Sequence, residues 1–572
     1  MARNISTSEL PRIPTEDLAS WVFNGPQYDR EKPILIDPAD PSRSISFNQA
    51  RELVGKLATG FRRAGLKVGD CVLVNSGNDV GEPQVQHWLR NTELKRICQN
   101  QIYYPVLLLG VIAAGGIFAG TNPGYKHIEL THHIKISKAK FLISGPEPLS
   151  ESLAAADATR LPRERTWVFD TWEEDFTAPK DVRSWKTLFE AEESSGDWYR
   201  FDDLETSKRT PAAIQFSSGT TGLPKGAVLS HYNLVAQHTL VYDTNPRPYQ
   251  ISRLIPLPLF HIGCGPVTNT SALRAGVPTY IMRRFDVTKY FQYIQKYQIT
   301  DLMVVPPIVV ALIKSPLIGD PQYMKSVKFG LSGAAPLDVI TQNELRKKLP
   351  GVPFTQIFGM TETTCLAMIT PYGEDDDTGS VGRPIPGLEV KLVGDDGSQV
   401  TEPNTRGEIW LRGPTIFNGY FENEQANKES FDDEGWFKSG DVAYFSEEYK
   451  FYVVDRKKEL IKVRGFQVAP PELEAVLLAH PAVVDAAVIG VRYPGIEDEH
   501  PMAYVVARDK ANPPDPEELK AFLAERLIKY KWLTGGVRIV DAIPKTPSGK
   551  ILKKNLREEA AALVRSANGS KL

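Results

Sequence analysis

Apolar runs of strand length alternate with helical patterns through most of residues 1–440. Three of these runs are AAIQFS, ITDLMVVPP (Ile299–Pro307) and SVKFGLSG (Ser326–Gly333). Strands that alternate with helices form largely parallel sheets, because each crossover helix returns the chain to the same end of the sheet. The pattern therefore predicts an α/β fold. The chain has 572 residues, and a chain of this length divides into two or more domains.

Two later changes of pattern predict a subdomain and a second domain. From Arg406 to Val454, short strands with Gly and Asp turns (GEIWLRGPTIFNGY, GWFKSGDVAYF) predict a β-rich subdomain. After Asp455 the segments PPELEAVLLAH, AVVDAAVIGVR, PEELKAFLAERLIKY and GVRIVDAIP read as helix, strand, helix and strand. We therefore expect a large N-terminal domain of α/β layers with a β-rich subdomain (1–454), a small mobile α+β domain (455–565) and a tail (566–572).

Composition excludes several classes of function. The net charge is −3, from 67 basic and 70 acidic residues, so the chain lacks the excess of positive charge that is typical of nucleic-acid-binding proteins. The four cysteines are widely separated, so neither a disulfide framework nor a zinc site is indicated and a reducing compartment is expected. The N-terminus MARNISTSELPRIP lacks the features of a secretory signal.

One uncharged segment is long enough to be considered as a transmembrane helix. YYPVLLLGVIAAGGIFAG (residues 103–120) is 18 residues long, at the lower limit for a spanning helix, but it carries four glycines. Its pattern favours a buried helix that runs into a buried strand, and we expect no transmembrane span.

The stretch FSSGTTGLPKG (Phe216–Gly226) has the composition of a phosphate-binding loop. A Walker loop requires a lysine directly after its last glycine and a Ser or Thr next, whereas Lys225 follows Pro224 and precedes Gly226. The stretch still leaves a predicted strand, where backbone N–H groups, hydroxyls and one lysine can hold a polyphosphate. Taken alone, it could equally be a mobile surface loop.

Seven motifs decide between these readings. In order they are SSGTTGLPKG, PLFHIGC, SGAAPL, FGMTETT, WFKSGD, DRKKELIKVRGFQVAPPELE and PKTPSGK. Their order and spacing resemble the adenylate-forming superfamily of acyl-CoA synthetases, luciferases and peptide-synthetase adenylation domains, and most of all the 4-coumarate–CoA ligase-like enzymes. The resemblance implies that a carboxylic acid attacks the α-phosphate of ATP, and that a thiol then displaces AMP. ATP, Mg²⁺ and CoA are the implied cofactors.

The resemblance also implies which residues bind the nucleotide. Thr361 would contact the α-phosphate and Glu362 would hold Mg²⁺, both as catalytic residues. Asp441 and Arg456 would bind the ribose. The residues implied for the β- and γ-phosphates are Ser217, Ser218, Gly219, Thr220, Thr221 and Lys225, and those implied beside the adenine are Gly333, Ala334 and Ala335. Gly222, Phe358 and Gly359 are implied as further cofactor-binding residues.

Lys550 in PKTPSGK resembles the catalytic lysine that reaches the carboxylate and the α-phosphate. Asp455 matches the hinge about which the C-terminal domain rotates. His261 in PLFHIGC matches a catalytic residue that lines the acyl pocket, which would lie between this segment, SGAAP and the VPPIVVAL helix. Gly263 stands where related sequences often have a larger residue, so we expect a roomy pocket.

The hairpin KVRGFQ corresponds to the usual KYKGFQ and implies contacts with CoA. Lys462, Gly465 and Gln467 match the pattern, whereas Arg464 replaces a lysine, which keeps the charge but changes its shape. Gly465 would let pantetheine pass close to the backbone.

An insertion interrupts the resemblance between Asp79 and Ile102. Residues 80–101 (VGEPQVQHWLRNTELKRICQNQ) form a polar stretch of 22 residues. It begins with Val and ends with Gln, as translated GT and CAG intron boundaries would. Our hypothesis is a retained short intron, and the alternative is a genuine surface loop, although loops of this length are uncommon. Sequencing the transcript decides, since the presence of these codons in every message would reject the intron.

The tripeptide Ser570-Lys571-Leu572 at the C-terminus is a peroxisomal address read by an import receptor. We therefore expect a peroxisomal matrix acid–CoA ligase acting on an aryl or a medium-to-long acyl acid, in β-oxidation or secondary metabolism. The alternatives are an adenylating enzyme with a carrier-protein acceptor, a luciferase-like enzyme, and a catalytically impaired ATP-binding protein.

Overall fold

The computed structural model describes residues 10–76, 102–170, 178–190, 197–217, 224–463, 466–493, 499–527, 529–546 and 549–569. The suspected intron (80–101) and the tripeptide Ser570-Lys571-Leu572 lie outside these residues, so both hypotheses stay predictions. Within the described part of the chain, no helix is both long and apolar enough to cross a membrane.

Two seven-stranded sheets form the large N-terminal part. Their strand orders are β7-β6-β5-β3-β4-β8-β9 and β14-β13-β12-β10-β11-β1-β2. Neighbouring strands are parallel except in the pairs β8–β9 and β1–β2, which confirms the predicted α/β class. The strands are β1 (Pro33–Ile36), β2 (Ser44–Ser46), β3 (Cys71–Asn75), β4 (Ile117–Thr121), β5 (Phe141–Ser144), β6 (Thr166–Val168), β7 (Arg183–Ser184), β8 (Pro211–Ser217), β9 (Lys225–Ser230), β10 (Arg253–Ile255), β11 (Thr279–Ile281), β12 (Asp301–Val304), β13 (Phe329–Ser332) and β14 (Phe354–Gln356).

Helices connect and cover these strands. They are α1 (Leu18–Phe23), α2 (Phe47–Arg63), α3 (Tyr104–Ala113), α4 (His127–Ser137), α5 (Leu149–Thr159), α6 (Leu204–Arg209), α7 (His231–His238), α8 (Ser271–Ala275), α9 (Val287–Tyr297), α10 (Pro306–Lys314), α11 (Pro321–Met324) and α12 (Val339–Lys348). Every residue of α3 and of β4 is buried. The uncharged segment is therefore the predicted buried helix and strand.

The β-rich part follows. A three-stranded sheet contains β15 (Phe358–Met360), β16 (Cys365–Ile369) and β17 (Arg383–Pro384), and a five-stranded sheet has the order β19-β18-β20-β21-β22. The five-stranded sheet begins before Arg406, the predicted start, because β18 pairs along its length with β20. Its elements are β18 (Glu389–Val393), β19 (Gln399–Val400), β20 (Gly407–Arg412), α13 (Glu424–Ser430), β21 (Phe437–Phe445) and β22 (Phe451–Arg456).

The C-terminal part is a small α+β unit, as predicted. Its core lies on both faces of the sheet β25-β26-β27, with α14 and α15 on one side and α16 on the other. The helix predicted to run through Tyr530 ends at Ala524, because the following turn packs Leu527 against the core. The elements are β23 (Ile461–Val463), β24 (Phe466–Val468), α14 (Pro470–Leu478), β25 (Val483–Arg492), β26 (Glu499–Ala507), α15 (Pro516–Ala524), β27 (Gly536–Ile539) and α16 (Lys553–Gly569).

Candidate active site

Three parallel strands of the second sheet end side by side and define the site. Val304, Ser332 and Gln356 are paired neighbours in β12, β13 and β14. The chain leaves these ends into α10, into the strip Gly333–Ala335 and into β15. Ligands of α/β proteins bind at the carboxyl ends of such strands, so the predicted adenine-binding residues lie where a ligand is expected.

Small residues keep the backbone at this edge accessible. A Cβ added to Gly333 would lie 2.6 Å from the Cγ1 atom of Ile357. Ala334 is exposed and has a φ of 69°, which is a left-handed backbone conformation. This conformation is unfavourable for any residue that has a Cβ atom. A Cβ on Gly359 would lie 1.7 Å from the carbonyl oxygen of Cys365. Glycine at position 359 is thus required for the β15–β16 hairpin to close.

This hairpin positions Glu362 in a one-turn helix, Thr361–Thr363. The Thr363 hydroxyl accepts a hydrogen bond from the Met360 N–H at 3.0 Å and donates to the Cys365 carbonyl at 3.0 Å. The Glu362 carboxylate is buried, and its Oε1 accepts a hydrogen bond of 2.8 Å from the Tyr420 hydroxyl. Thr361, which is half-buried, is adjacent to this carboxylate.

The described ends of the phosphate loop meet the same tyrosine. Ser217 and Lys225 are paired across β8 and β9, and the Lys225 Nζ lies 4.9 Å from the centre of the Tyr420 ring. Burial raises the pKa of Tyr420, the Glu362 carboxylate raises it further, and a hydrogen bond with Ser217 opposes the shift. Ser218, Gly219, Thr220, Thr221 and Gly222 lie outside the described residues.

Sequence reasoning missed Tyr420. It stands 58 residues after Glu362 in the chain, in the segment FNGYFEN, which has no recognisable spacing. Its role appears only when the two segments are brought together in space.

The predicted ribose ligands face each other on two paired strands. Asp441 in β21 is opposite Arg456 in β22, with 3.4 Å between the Asp441 Oδ1 and the Arg456 Nε. Burial raises the pKa of Asp441, and the charges of Arg456 and Lys550 partly offset this effect. A buried carboxylate beside a guanidinium can accept hydrogen bonds from two ribose hydroxyls.

Lys550 reaches this site from the C-terminal part. Its N–H donates to the Thr546 Oγ1 at 3.0 Å, and its carbonyl accepts from the Thr546 N–H at 2.7 Å. The preceding Gly549 has a φ of 83°, and a Cβ added to it would lie 2.4 Å from the Cγ of Pro307. The turn that carries Lys550 therefore rests directly on the start of α10.

Lys550 shares an electrostatic environment with the nucleotide-site residues. Burial and, to a smaller extent, the charge of Arg456 lower its pKa to about 8, against the opposing charges of Asp441, Glu459 and Glu362. Burial also lowers the pKa of Lys458 to about 8, again with a contribution from Arg456. Lys458, which was not predicted, belongs to the same DRKKE segment. Arg456, Lys458 and Lys550 make this part of the crevice basic, as a polyphosphate requires.

His261 faces the same lysine as a neutral imidazole. Burial lowers its pKa to about 4, and the charge of Lys550 contributes to the shift. The Gly263 N–H donates to the His261 Nδ1 at 3.0 Å. A neutral imidazole that accepts at Nδ1 carries its proton on Nε2. His261 is therefore a hydrogen-bond donor at Nε2.

Of the predicted CoA residues, Lys462 is the one described with its side chain. Lys462 is exposed on β23, and its backbone N–H donates to the Glu499 Oε2 at 2.9 Å. Its side chain forms no ion pair or hydrogen bond with the residues that the structure describes. Arg464 and Gly465 lie outside those residues, and Gln467 is described only as backbone in β24. Their roles stay predictions.

Comparison with known families gives this geometry a context. The AMP-binding enzyme family matches residues 96–421, and the family described as the AMP-binding enzyme C-terminal domain matches residues 472–550. The chain belongs to the AMP-binding enzymes. This AMP-binding enzyme is 46% identical over 552 residues to the phenylacetyl-CoA ligase epaB of Aspergillus niger, covering 96% of this chain and 97% of that protein. It is 35% identical over 570 residues to the 4-coumarate–CoA ligase of Pinus taeda, covering 97% of each chain.

Two solved structures of one protein, with and without ATP, resemble this AMP-binding enzyme over nearly its whole length. ATP-bound MatB from Rhodopseudomonas palustris superposes with a TM-score of 0.79, and apo MatB with 0.70. Each is 26% identical and covers 95% of this chain and 98% of MatB.

Proposed function

We propose that the protein is an ATP-dependent acid–CoA ligase that forms an acyl-adenylate and then an acyl-CoA thioester. The observation that carries the proposal is that the turn bearing Lys550 rests on Pro307 of α10, where the charges of Asp441, Arg456 and Glu362 act on the lysine. Relatives named as CoA ligases, similar over nearly their whole length, support the same reaction.

In the first step, a carboxylate oxygen of the acid attacks the α-phosphorus of ATP. The bond between the α-phosphorus and the bridging oxygen breaks, and pyrophosphate leaves with the bonding electrons. Lys550, protonated, stabilises the negative charge that develops on the α-phosphoryl group. Lys225 and Ser217 stand at the described ends of the loop that would hold the leaving pyrophosphate.

The residues present fit Mg²⁺. Glu362 is a buried carboxylate whose Oε2 accepts no hydrogen bond from the described residues, whereas its Oε1 is held by Tyr420. The described residues contain no cluster of three His, Cys, Asp or Glu side chains that would form an all-protein metal cage. Mg²⁺ is commonly held by one or two carboxylates together with substrate phosphates and water. When bound, it would neutralise charge on the phosphate oxygens.

In the second step, the CoA thiol attacks the acyl carbon and AMP leaves. The proposal requires the C-terminal part to turn about Asp455 so that Lys550 withdraws. Asp455 is buried, and burial raises its pKa to about 6, against the opposing charge of Lys553. The Lys553 Nζ lies 3.8 Å from Asp455 and 3.0 Å from Glu474. This ion-pair cluster joins the proposed hinge to α14 and α16.

The decisive experiment is a substrate screen with the purified full chain. Aryl, medium-chain and long-chain acids are supplied with ATP, Mg²⁺ and CoA, and acyl-CoA is measured by mass spectrometry. The proposal predicts thioester formation with at least one acid. Adenylate formed without any CoA thioester would instead indicate a carrier-protein acceptor, oxygen-dependent light emission a luciferase-like enzyme, and ATP binding without turnover an impaired enzyme.

We also propose that the protein acts in the peroxisomal matrix, through Ser570-Lys571-Leu572. Fusion of a fluorescent protein at the N-terminus leaves this tripeptide free. Deleting the three residues should change the fluorescence from punctate to diffuse. Punctate peroxisomal fluorescence of the deletion variant would reject the address.

A further inference from the structure

A cavity of about 30 Å³ lies against the second sheet, lined in part by residues of β10, β12 and β13. At the end nearer the strip it is lined by Leu331, which lies two residues before Gly333, and by Leu366 of β16. At the far end it is lined by Arg247, Arg253 and Asp301. The volume has room for about two water molecules or one small polar group.

Arg253 is the unusual residue in this cavity. It is only 5% exposed, and its side chain makes no hydrogen bond or ion pair with any residue that the structure describes. Its guanidinium carbon lies 5.3 Å from the ring centre of Tyr242, which also lines the cavity. Buried arginines normally have a partner, because an unpaired buried charge is strongly destabilising. A ligand that pairs with Arg253 would remove this cost.

The remaining charges do not neutralise Arg253. The Nε of Arg247 lies 3.8 Å from the Asp301 Oδ2 and has no hydrogen-bond partner. The Asp301 Oδ1 already accepts hydrogen bonds of 3.0 Å from the hydroxyls of Tyr249 and Thr300. Two guanidinium groups and one carboxylate leave this end of the cavity with one net positive charge, so the missing partner is an anion.

The position of the cavity links this anion to the acid substrate. Arg253 is paired with Asp301, and Asp301 with Phe329, at the amino ends of β10, β12 and β13. Gly333 lies four residues beyond Phe329, which is about 13 Å along a strand. Under the proposed function, the acyl pocket begins beside Gly333. A medium-chain acid that enters there and follows the sheet past Leu331 and Leu366 would bring its far end to Arg253.

We propose that Arg253 binds a second carboxylate at the far end of the acid substrate, so that the enzyme favours medium-chain dicarboxylic acids over monocarboxylic acids of equal length. Arg247 and Asp301 position this end of the pocket, and Leu331 and Leu366 contact the methylene chain. The inference rests on the proposed acid–CoA ligase function and names its substrate class.

The test compares acid pairs of equal length: suberate with octanoate, azelate with nonanoate, and sebacate with decanoate. Acid-dependent exchange between ATP and pyrophosphate gives kcat/KM for each acid. We expect at least one dicarboxylate to exceed its partner by about tenfold or more, as a charge-assisted hydrogen bond in a buried site allows. Equal or lower values for all three dicarboxylates would overturn the inference while leaving the ligase function intact. No exchange with any acid class would contradict the ligase function itself.

Variants assign the preference to Arg253. Arg253→Met should lower the dicarboxylate-to-monocarboxylate ratio by about tenfold, without lowering the thermal unfolding midpoint, because an unpaired buried charge is removed. Asp301→Asn adds one net positive charge and should raise the ratio, which keeps the test valid if Arg253→Met folds poorly. The matched control is Arg383→Met, which removes an arginine from the surface ion pair with Glu374 and should leave the ratio unchanged. An unchanged ratio in both cavity variants would reject the assignment.

Discussion

At the scale of single residues, the site depends on how neighbouring charges act on Lys550. Burial and the charge of Arg456 favour its neutral form, whereas Asp441, Glu459 and Glu362 favour the cation. The cation stabilises negative charge on the phosphoryl group far better than the neutral amine does. Activity is therefore expected to depend on pH above neutrality.

The first prediction concerns this dependence. Below pH 8 Lys550 is mostly protonated, and as the pH rises through about 8 the free enzyme loses the cation. The kcat/KM of acid-dependent ATP–pyrophosphate exchange should then fall by about tenfold per pH unit. In Lys550→Arg this fall at high pH (the basic limb of the pH profile) should disappear, because a guanidinium stays charged. The maximal rate of this variant should be lower.

A control is needed because burial lowers the pKa of Lys458 to the same value of about 8. Lys458→Arg should keep the basic limb if Lys550 is responsible. A limb that disappears in Lys458→Arg and persists in Lys550→Arg would contradict the assignment.

The sequence predicted some residues of the site and gave no sign of others. Motif order alone pointed to Lys550, Asp441 and Glu362, which the fold brings into one crevice. It gave no sign of Tyr420 or Arg253, because their environments are made by segments distant in the chain. Contacts of this kind follow from tertiary packing and leave no local pattern.

At the scale of elements, the β15–β16 hairpin holds Glu362 at the edge of the site. Its closure requires that Gly359 have no side chain, since a Cβ would lie 1.7 Å from the Cys365 carbonyl oxygen. The sequence predicted β8, β12, β13, α14, β25 and β27, because their apolar runs are short and clearly bounded. It missed β26 and α16, and it extended α15 past Ala524. It placed the start of the five-stranded sheet too late, because β18 depends on pairing with β20.

The second prediction is that Gly359→Ala destabilises the protein and displaces Glu362. The contact is with rigid backbone, so we expect a loss of about 1–3 kcal/mol in the free energy of unfolding, typical of overpacking. Denaturant titration measures this loss, and the Mg²⁺ concentration needed for half-maximal exchange should rise. Gly319→Ala is the matched control, because nothing lies within 4 Å of its added Cβ. Equal stability of the two variants would contradict the steric argument.

At the scale of the whole molecule, the two parts of the fold meet where the Lys550 turn rests on Pro307. Under the proposed function, this arrangement suits adenylate formation, and the second step requires a different one. The sequence predicted a hinge at Asp455, and the structure describes a buried charge cluster there. Strand β22 crosses the predicted domain boundary at 454/455, so the exact boundary stays a prediction.

The third prediction separates the two steps by preventing this docking. Gly549→Ala places a Cβ against Pro307, so it should reduce ATP–pyrophosphate exchange by about tenfold or more, as expected for a misplaced catalytic group. Thioester formation from supplied acyl-adenylate should be spared, and Lys550→Ala should show the same separation. Gly536→Ala, whose glycine also has a positive φ but whose Cβ would meet no atom within 4 Å, controls for backbone strain. Equal loss of both steps in Gly549→Ala would contradict the two-arrangement account.

The fourth prediction concerns the bond that breaks, on which the whole account depends. The phosphate loop, Glu362 and Lys550 are interpreted as a site that transfers AMP and releases pyrophosphate. Chromatography of the adenine nucleotides, in a reaction with a competent acid and CoA, measures this directly. We predict AMP in equal amount to acyl-CoA, with no acid-dependent ADP. Accumulation of ADP in place of AMP would contradict the account.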